Sequence, residues 1–344
     1  MGILRNKKGS IFILSIWALV IFSIYALYLG YSSRMRILFA QRILSRDTLR
    51  SVTEAGVFEI IGIIRKEAGT KPELLFPFVL TSFPAHSSGG FGQKTDDTHS
   101  EILYNNFVSL PDGKVYYFIE DEESKLNLNT ADSSSIAFLI REIAGLDEDE
   151  AVRLANDIVD WRDPDDERPD LQIINSEDRY YKLAGLAYGP KNKNFRLIEE
   201  LLLVKGMTPG AYEAIKPYVT VYGSGTVNIN TCKEAVLKSL GLSDVLTEKV
   251  LLFRGSSSSK KADINNFFTG ASTIIDQLDD YSSLDKMEKD ALSELIKNNK
   301  IAVDSGVFSA VNIGKLRNGS SRLLIHCIVD ENGKMLYWKE DFTN

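Results

Sequence analysis

Residues Ser10 to Ser33, SIFILSIWALVIFSIYALYLGYSS, carry no charged side chain. As a helix these residues extend roughly 36 Å at 1.5 Å per residue, enough to cross the apolar core of a bilayer. Arg5, Lys7 and Lys8 precede the run, and Arg34 and Arg36 end it. A cleaved secretory signal has a shorter apolar core followed by a small-residue cleavage site. Here the core is too long and no clear A-x-A follows it. A plain transmembrane anchor accounts for the length and for nothing else. Basic residues flank both ends, so charge does not orient the span.

The helical pattern continues beyond the span. Met35, Leu38, Leu49, Val52, Ala55, Ile60 and Ile63 keep roughly helical spacing, and Arg34, Arg42, Arg46, Arg50 and Glu54 fill polar positions. No proline occurs before Pro72. The pattern predicts one helix of about fifty residues, half in lipid and half outside it. A membrane helix joined to a separate soluble helix is the competing reading.

The rest of the chain is that of a folded protein. Its 344 residues suffice for two domains, and 44% apolar with 25% charged residues is a globular composition. A net charge of −7 argues against a dedicated nucleic-acid binder, because neutralised phosphates supply most of that affinity. Cys232 and Cys327 are the two cysteines, and there is no CxxC or Cys/His cluster of the kind that holds zinc. They read as buried thiols in preference to a disulfide, since neither partner nor spacing is specified.

Punctuation in the sequence divides the body. His86-Ser-Ser-Gly-Gly-Phe-Gly-Gln reads as a surface loop, and Ser256 to Lys261 as a second, serine-rich one. Residues 102–110 and 114–120 flank Pro111-Asp112-Gly113 as a β-hairpin, and residues 322–329 and 334–338 flank Asp330-Glu331-Asn332-Gly333 in the same way. Strands on both sides of a long middle segment fit one sheet, with the middle as an insertion. That middle, about 125–255, reads mostly helical. Residues 147–162 put Ala151, Leu154, Ile158 and Trp161 on one face, with Asp147 to Glu150 in the first turn, where the helix dipole favours acids. Residues 197–205 read as a helix stopped by Gly206, and Thr208-Pro209 restarts one.

A weak repeat runs through this region. Asn127-Leu128-Asn129-Thr130 matches Asn228-Ile229-Asn230-Thr231, and each leads to a helix, a Gly-Leu pair (145–146 and 241–242) and a helix ending in Arg162 or Arg254. Thr231-x-x-Glu234 reads as a capping box. The units are similar to helix-hairpin-helix modules; two capped hairpins with structural roles explain them equally.

Catalytic signatures are missing from the sequence: no GxSxG, P-loop, HExxH or Rossmann fingerprint. His86, His99 and His326 have no evident partners, and His326 reads as a packed or surface residue of a strand. The candidate ion site is acidic: Asp160, Asp163, Asp165 and Asp166, with Glu177 and Asp178 eleven residues later. Crowded carboxylates repel one another unless a cation neutralises them, and calcium takes six to eight oxygens. The spacing is not that of an EF-hand, and a solvated acidic loop is the competing reading. Ile173 to Ser176 stand where a Gly-rich turn would be typical.

Several stretches, in order, resemble the minor pseudopilin K family of type II secretion systems. They are Lys7-Lys8-Gly9-Ser10 before the apolar run, Glu54-Ala55-Gly56, Asp121 to Asn129, Asp160 to Asp166, Glu177 to Tyr181, Glu199 to Met207, and Asn228 to Thr231. The resemblance implies an α+β fold: a long transmembrane spine helix and a pilin-like antiparallel sheet domain interrupted by an all-α insertion. The divisions expected are a leader (1–9), the membrane part of the spine (10–33), the first part of the pilin-like domain (34–124), the inserted helices (125–222), and a helical repeat with the second part of the pilin-like domain (223–344). It further implies cleavage between Gly9 and Ser10 by a prepilin peptidase, methylation of the new amino terminus, and calcium near Asp160 to Asp178. The expected place is the bacterial inner membrane, crossed once with the bulk in the periplasm. The expected role is non-enzymatic: capping a pseudopilus with minor pseudopilins of the I and J types. Position five after the cut is Leu14, where most pilin-like subunits have Glu. That acid pairs with a neighbour's amino terminus, and a buried carboxylate without the partner costs several kcal/mol. A subunit with none ahead of it has no use for the charge, so Leu14 favours the tip.

The alternative function is a membrane-anchored helix-hairpin-helix protein for DNA binding or uptake. Residues 120–180 hold 19 Asp or Glu against 6 Lys or Arg, and a surface of that sign repels a polyanion. A membrane-bound hydrolase lacks any nucleophile–base constellation.

Overall fold

The computed structural model describes residues 7–67, 106–165, 177–183, 185–255, 266–317, 319 and 321–343. The serine-rich segment after Gly255, the loop at His86, and both His86 and His99 lie outside them.

Helix α1 (Lys7–Glu67) is uninterrupted over 61 residues, so the spine is one helix and not two. Its residues 12–48 are exposed almost throughout, apolar side chains included. From Leu49 on, one face closes: Leu49, Val52, Thr53, Gly56, Val57, Ile60, Ile61 and Ile64 are buried. Their three- and four-residue spacing is the stripe of a helix lying on a surface.

That surface is a five-stranded antiparallel sheet. Strands β1 (Phe107–Leu110) and β2 (Gly113–Asp121) form the hairpin expected at Pro111-Asp112-Gly113. The chain then leaves the sheet for the helical region. This opens with β3 (Leu126–Asn127), α2 (Ser133–Leu139), α3 (Glu148–Arg162), α4 (Glu177–Leu183), α5 (Pro209–Ile215) and β4 (Val219–Thr220). It continues through β5 (Val227–Asn228), α6 (Glu234–Ser239), α7 (Asp244–Phe253), α8 (Ile274–Tyr281), α9 (Lys286–Lys297) and β6 (Ile301–Ala302). The sheet resumes with β7 (Val307–Leu316), β8 (Arg322–Asp330) and β9 (Met335–Thr343), in the order β1-β2-β7-β8-β9. Strand β2 pairs with β7 from Gly113 opposite Leu316 to Asp121 opposite Phe308, so the helical region is an insertion between neighbouring strands.

Phe308, Ala310, Leu323, Ile325, Cys327 and Val329 meet the buried stripe of α1. Each fully buried aliphatic side chain contributes about 1.5–3 kcal/mol. The contact is close because two glycines permit it. A Cβ on Gly56 would lie 2.5 Å from Val115, and one on Gly314 would collide with Thr53. The expectation at Glu54-Ala55-Gly56 thereby gains a physical reason.

The weak repeat is a structural duplication. One unit opens on β3 and closes on β4, paired in parallel; the other opens on β5 and closes on β6, also in parallel. Asn127 Oδ1 accepts from the Asn129 N–H at 2.9 Å, and Asn228 Oδ1 from the Asn230 N–H at 3.0 Å. The Asn129 amide side chain bonds the backbone of Phe195 both ways, as that of Asn230 does with Phe268. Arg162 donates to the Leu128 and Ala131 carbonyls, and Arg254 to those of Ile229 and Cys232. Trp161 stacks near Phe195 and Phe253 on Phe268. Each NxNT turn is thus locked by its own amides below and by an arginine from the second helix above.

Three local expectations change. Residues 198–203 form a 3-10 helix, not an α-helix, before Gly206 at φ +85°. Thr231 caps nothing: α6 begins after Lys233, and the Thr231 hydroxyl donates to Asp121 instead. Strand β7, in the middle of the sheet, and helices α8 and α9 extend the element list beyond the sequence reading. By contrast Asp147 caps α3 and Thr208 caps α5 through side-chain bonds to Glu150 N–H and Ala211 N–H. Cys232 and Cys327 are both buried and form no disulfide.

Candidate functional site

Three places carry the residues singled out above. The first is the amino-terminal end of α1. Gly9 and Ser10 fall in its first turns, and Leu14 is an exposed apolar residue, 69% accessible. The helix is long and apolar enough to span a membrane.

The second is the acidic segment after α3. Helix α3 ends at Arg162, and Asp163 is its C-cap, with its N–H bonded to the Val159 carbonyl. Asp160 is buried, and the Asp163 Oδ1 atom is buried with no hydrogen-bond partner among the described residues. Burial and the neighbouring Asp165 push the Asp163 carboxyl above its ordinary value, against a smaller opposite pull from Arg162. Asn192, held at φ 49°, donates its side-chain amide to the Asp165 carbonyl. Helix α4 carries Glu177 and Asp178 in its first turn, and its Tyr181 ring lies 6.3 Å from that of Trp161. Through Tyr181 the fold therefore packs α4 against the end of α3. Asp166 and the side chains of Glu177 and Asp178 lie outside the described residues, and among the described residues no three metal-ligating side chains gather.

The anchor of this segment is a further carboxylate. Glu200 accepts from Lys191 Nζ at 2.6 Å and from Trp161 Nε1 at 3.4 Å. Burial raises its pKa, but Lys191 and the Arg196 N–H outweigh that and hold it below the usual range.

The third place, Asp121 to Lys125, falls within a stretch that carries the family resemblance but holds none of the expected site residues. It lies where the chain leaves the sheet and where it returns. Asp121, fully buried at the end of β2, accepts from Thr231 Oγ1 (2.5 Å), Ser305 Oγ (2.6 Å) and Asn228 Nδ2 (3.0 Å) on one oxygen and from the Glu123 N–H (2.8 Å) on the other. Glu123 accepts from the Ser224 N–H and hydroxyl and from the Gly306 N–H. Gly223, at φ +89°, makes room for it: a Cβ there would lie 2.8 Å from its carboxylate. Lys125 bridges Glu120 and Glu122 at 2.8 Å each. Burial alone would lower the Lys125 pKa; the two carboxylates reverse the sign and raise it. Burial pushes Asp121 up to about 6 in spite of its donors. Four acids and a lysine within six residues at a strand end are the signal that marks this cluster. Everything in it is satisfied, so it reads as a fastening of the fold. His326 lies nearby on β8, its Nε2 2.9 Å from Ser309 Oγ and its ring edge-on to Tyr337, and burial lowers its pKa.

Comparison with known proteins adds three findings. Residues 124–224 match the family model described as type II secretion system (T2SS), protein K. No curated protein sequence matches the chain. Among solved structures, the crystal structure of the GspK-GspI-GspJ complex from the enterotoxigenic Escherichia coli type 2 secretion system matches 90% of this chain and 99% of its own, at 17% identity and a TM-score of 0.57. Residues 124–224 are therefore similar to type II secretion protein K, and the chain as a whole has a GspK-like fold.

Proposed function

We propose that this chain is the tip subunit of a type II secretion pseudopilus, held in the inner membrane by α1 with its sheet and helices on the periplasmic side. Proteins of this family are structural components of secretion machinery, and the role assigned here is assembly and not catalysis. The observation that carries the tip position is the spine. One unbroken helix runs from a basic leader through an apolar span, and it presents Leu14 where a subunit seated beneath another needs an acid. The partners are minor pseudopilins of the I and J types, such as those in the complex whose K subunit has this fold. The processing enzyme is a prepilin peptidase cutting between Gly9 and Ser10. Amino-terminal sequencing of the mature protein, from cells with and without that peptidase, tests the reading. A new terminus at Ser10, made only when the enzyme is present, is expected; an intact Met1 in both cells sinks it.

Calcium is proposed at the acidic segment. The residues fit in kind: Asp163 has a buried oxygen with no donor among the described residues, and Asp165 adds like charge beside it. Asp160, Asp163 and Asp165, with Asp166, Glu177 and Asp178, would supply oxygens to the ion, which would cancel their mutual repulsion. Calcium is expected to raise the melting temperature by several degrees, and Asp163→Asn to remove most of that gain. Calorimetric titration showing no heat of binding would end the proposal.

A further inference from the structure

Charge is distributed very unevenly along this chain. The first 46 residues hold seven Lys or Arg and no Asp or Glu, whereas residues 47–344 hold 33 Lys or Arg against 47 Asp or Glu, a balance of −14. Four of the seven cations, Arg34, Arg36, Arg42 and Arg46, lie on α1 between the apolar span and the sheet. Removal of a leader at Gly9 would leave these as the only charged side chains of the first 46 residues, all on one side of the span.

The arginines divide into two sets. Arg46 lies over the Phe342 ring at 4.3 Å, and the next one along, Arg50, is ion-paired with Glu54 and Glu340, so both are tied to the folded body. Arg34, Arg36 and Arg42 are exposed and pair with no acid among the described residues. Depth along the helix says what they meet. Arg34 directly follows the uncharged run, and Arg36 is about 3 Å further along the axis. Tyr25, Tyr28 and Tyr31, each more than half exposed, lead to Arg34 at steps of three residues. Tyrosines and arginines at the end of a span are groups that sit at the polar boundary of a bilayer, and long cationic side chains reach back toward it. All are hydrogen-bond donors, and a guanidinium matches phosphate with two parallel bonds.

We propose that Arg34 and Arg36, reinforced by Arg42, bind the phosphates of anionic phospholipids on the side of the membrane where the folded body lies. The proposal rests on the membrane-anchor reading. The acidic body adds a second effect of opposite sign: it is repelled by the surface that the arginines hold. Together the two keep α1 upright with the sheet clear of the headgroups.

The test uses the full chain reconstituted in phosphatidylcholine bilayers with trace spin-labelled phosphatidylglycerol or spin-labelled phosphatidylcholine. The fraction of each label immobilised by the protein is read by electron spin resonance. Wild type is expected to prefer the phosphatidylglycerol label by about three- to tenfold at low salt, with the preference shrinking as salt is added. The triple variant Arg34→Gln/Arg36→Gln/Arg42→Gln is expected to lose most of that preference, and Lys7→Gln/Lys8→Gln to keep it. Equal immobilisation of both labels by wild type overturns the proposal. A preference retained by the arginine variant but lost by the lysine variant also overturns it. Carbonate extraction of the same samples separates the two readings, because a wild-type chain released from the bilayer would refute the anchor itself.

Discussion

Replacing Asp121 with alanine is expected to lower the stability of the folded body by about 3 kcal/mol, the range for breaking a buried, fully bonded carboxylate site. Three side-chain donors and one backbone N–H lose their acceptor at once, and the Thr231 hydroxyl is buried where water does not readily replace it. For a body of this size the loss corresponds to a melting temperature lower by roughly 6–12 °C. Asp121→Asn keeps the shape and one of the two acceptor oxygens, so it costs less, and it serves to isolate the titration. In the unfolded chain this carboxyl loses its proton near its ordinary value of 3.8; in the folded protein it keeps it to about 6. Between these values the folded state binds more protons. The contribution is therefore complete below the lower value and is lost as pH rises through the upper one. Wild type should gain stability relative to Asp121→Asn on going from pH 7.5 to pH 4.5, measured by thermal melts of both proteins. A gap that is flat or widens with rising pH would show that burial does not dominate at this carboxylate.

The second large effect is expected at the contact of spine and sheet. Gly314→Ala inserts a methyl group where Thr53 already stands, and forcing one carbon into a packed site costs about 1–3 kcal/mol. The strain has one address, so it has one remedy. Thr53→Ala alone gives up the hydroxyl's bond to the Leu49 carbonyl and one buried methyl group, on a helix that keeps its backbone ladder. Combined with Gly314→Ala it should restore more than half of the loss. Melts of the two single variants and the double variant give the coupling directly; strict additivity would show that the methyl is accommodated elsewhere.

Much of this architecture is legible because its signals are local and periodic. The spine, the Pro111-Asp112-Gly113 hairpin, the burial of Ala151, Leu154, Ile158 and Trp161 on one face of α3, and the caps at Asp147 and Thr208 each follow from spacing or from one side chain. Strand β7 is hidden for a reason visible in its inward face, which runs Phe308, Ala310, Asn312, Gly314. Glycine and a buried asparagine there spoil the alternation that marks a strand, and the glycine is required by Thr53, more than 250 residues earlier. Thr231 misleads in the same way. Its spacing to Glu234 is that of a cap, but a carboxylate 110 residues away takes the hydroxyl. Fastenings of this kind are set by tertiary partners and leave no periodic trace. The acidic segment at Asp160 to Asp178 is legible as a cluster, since charge counts need no fold, while its closure by α4 against Trp161 is not.

The duplicated helical region hangs from the sheet by two chain crossings, at 121–125 and 303–307, and the carboxylates of Asp121 and Glu123 sew the two together. The buried Leu49–Ile64 stripe of α1 bears on the sheet, on Val115 of β2 and on the inward residues of β7 and β8, and among the described residues no side chain of the insertion joins that cluster. The helices are therefore mechanically idle when the spine is hauled or pushed, and they can keep a fixed outward shape while the shaft beneath them bears the load.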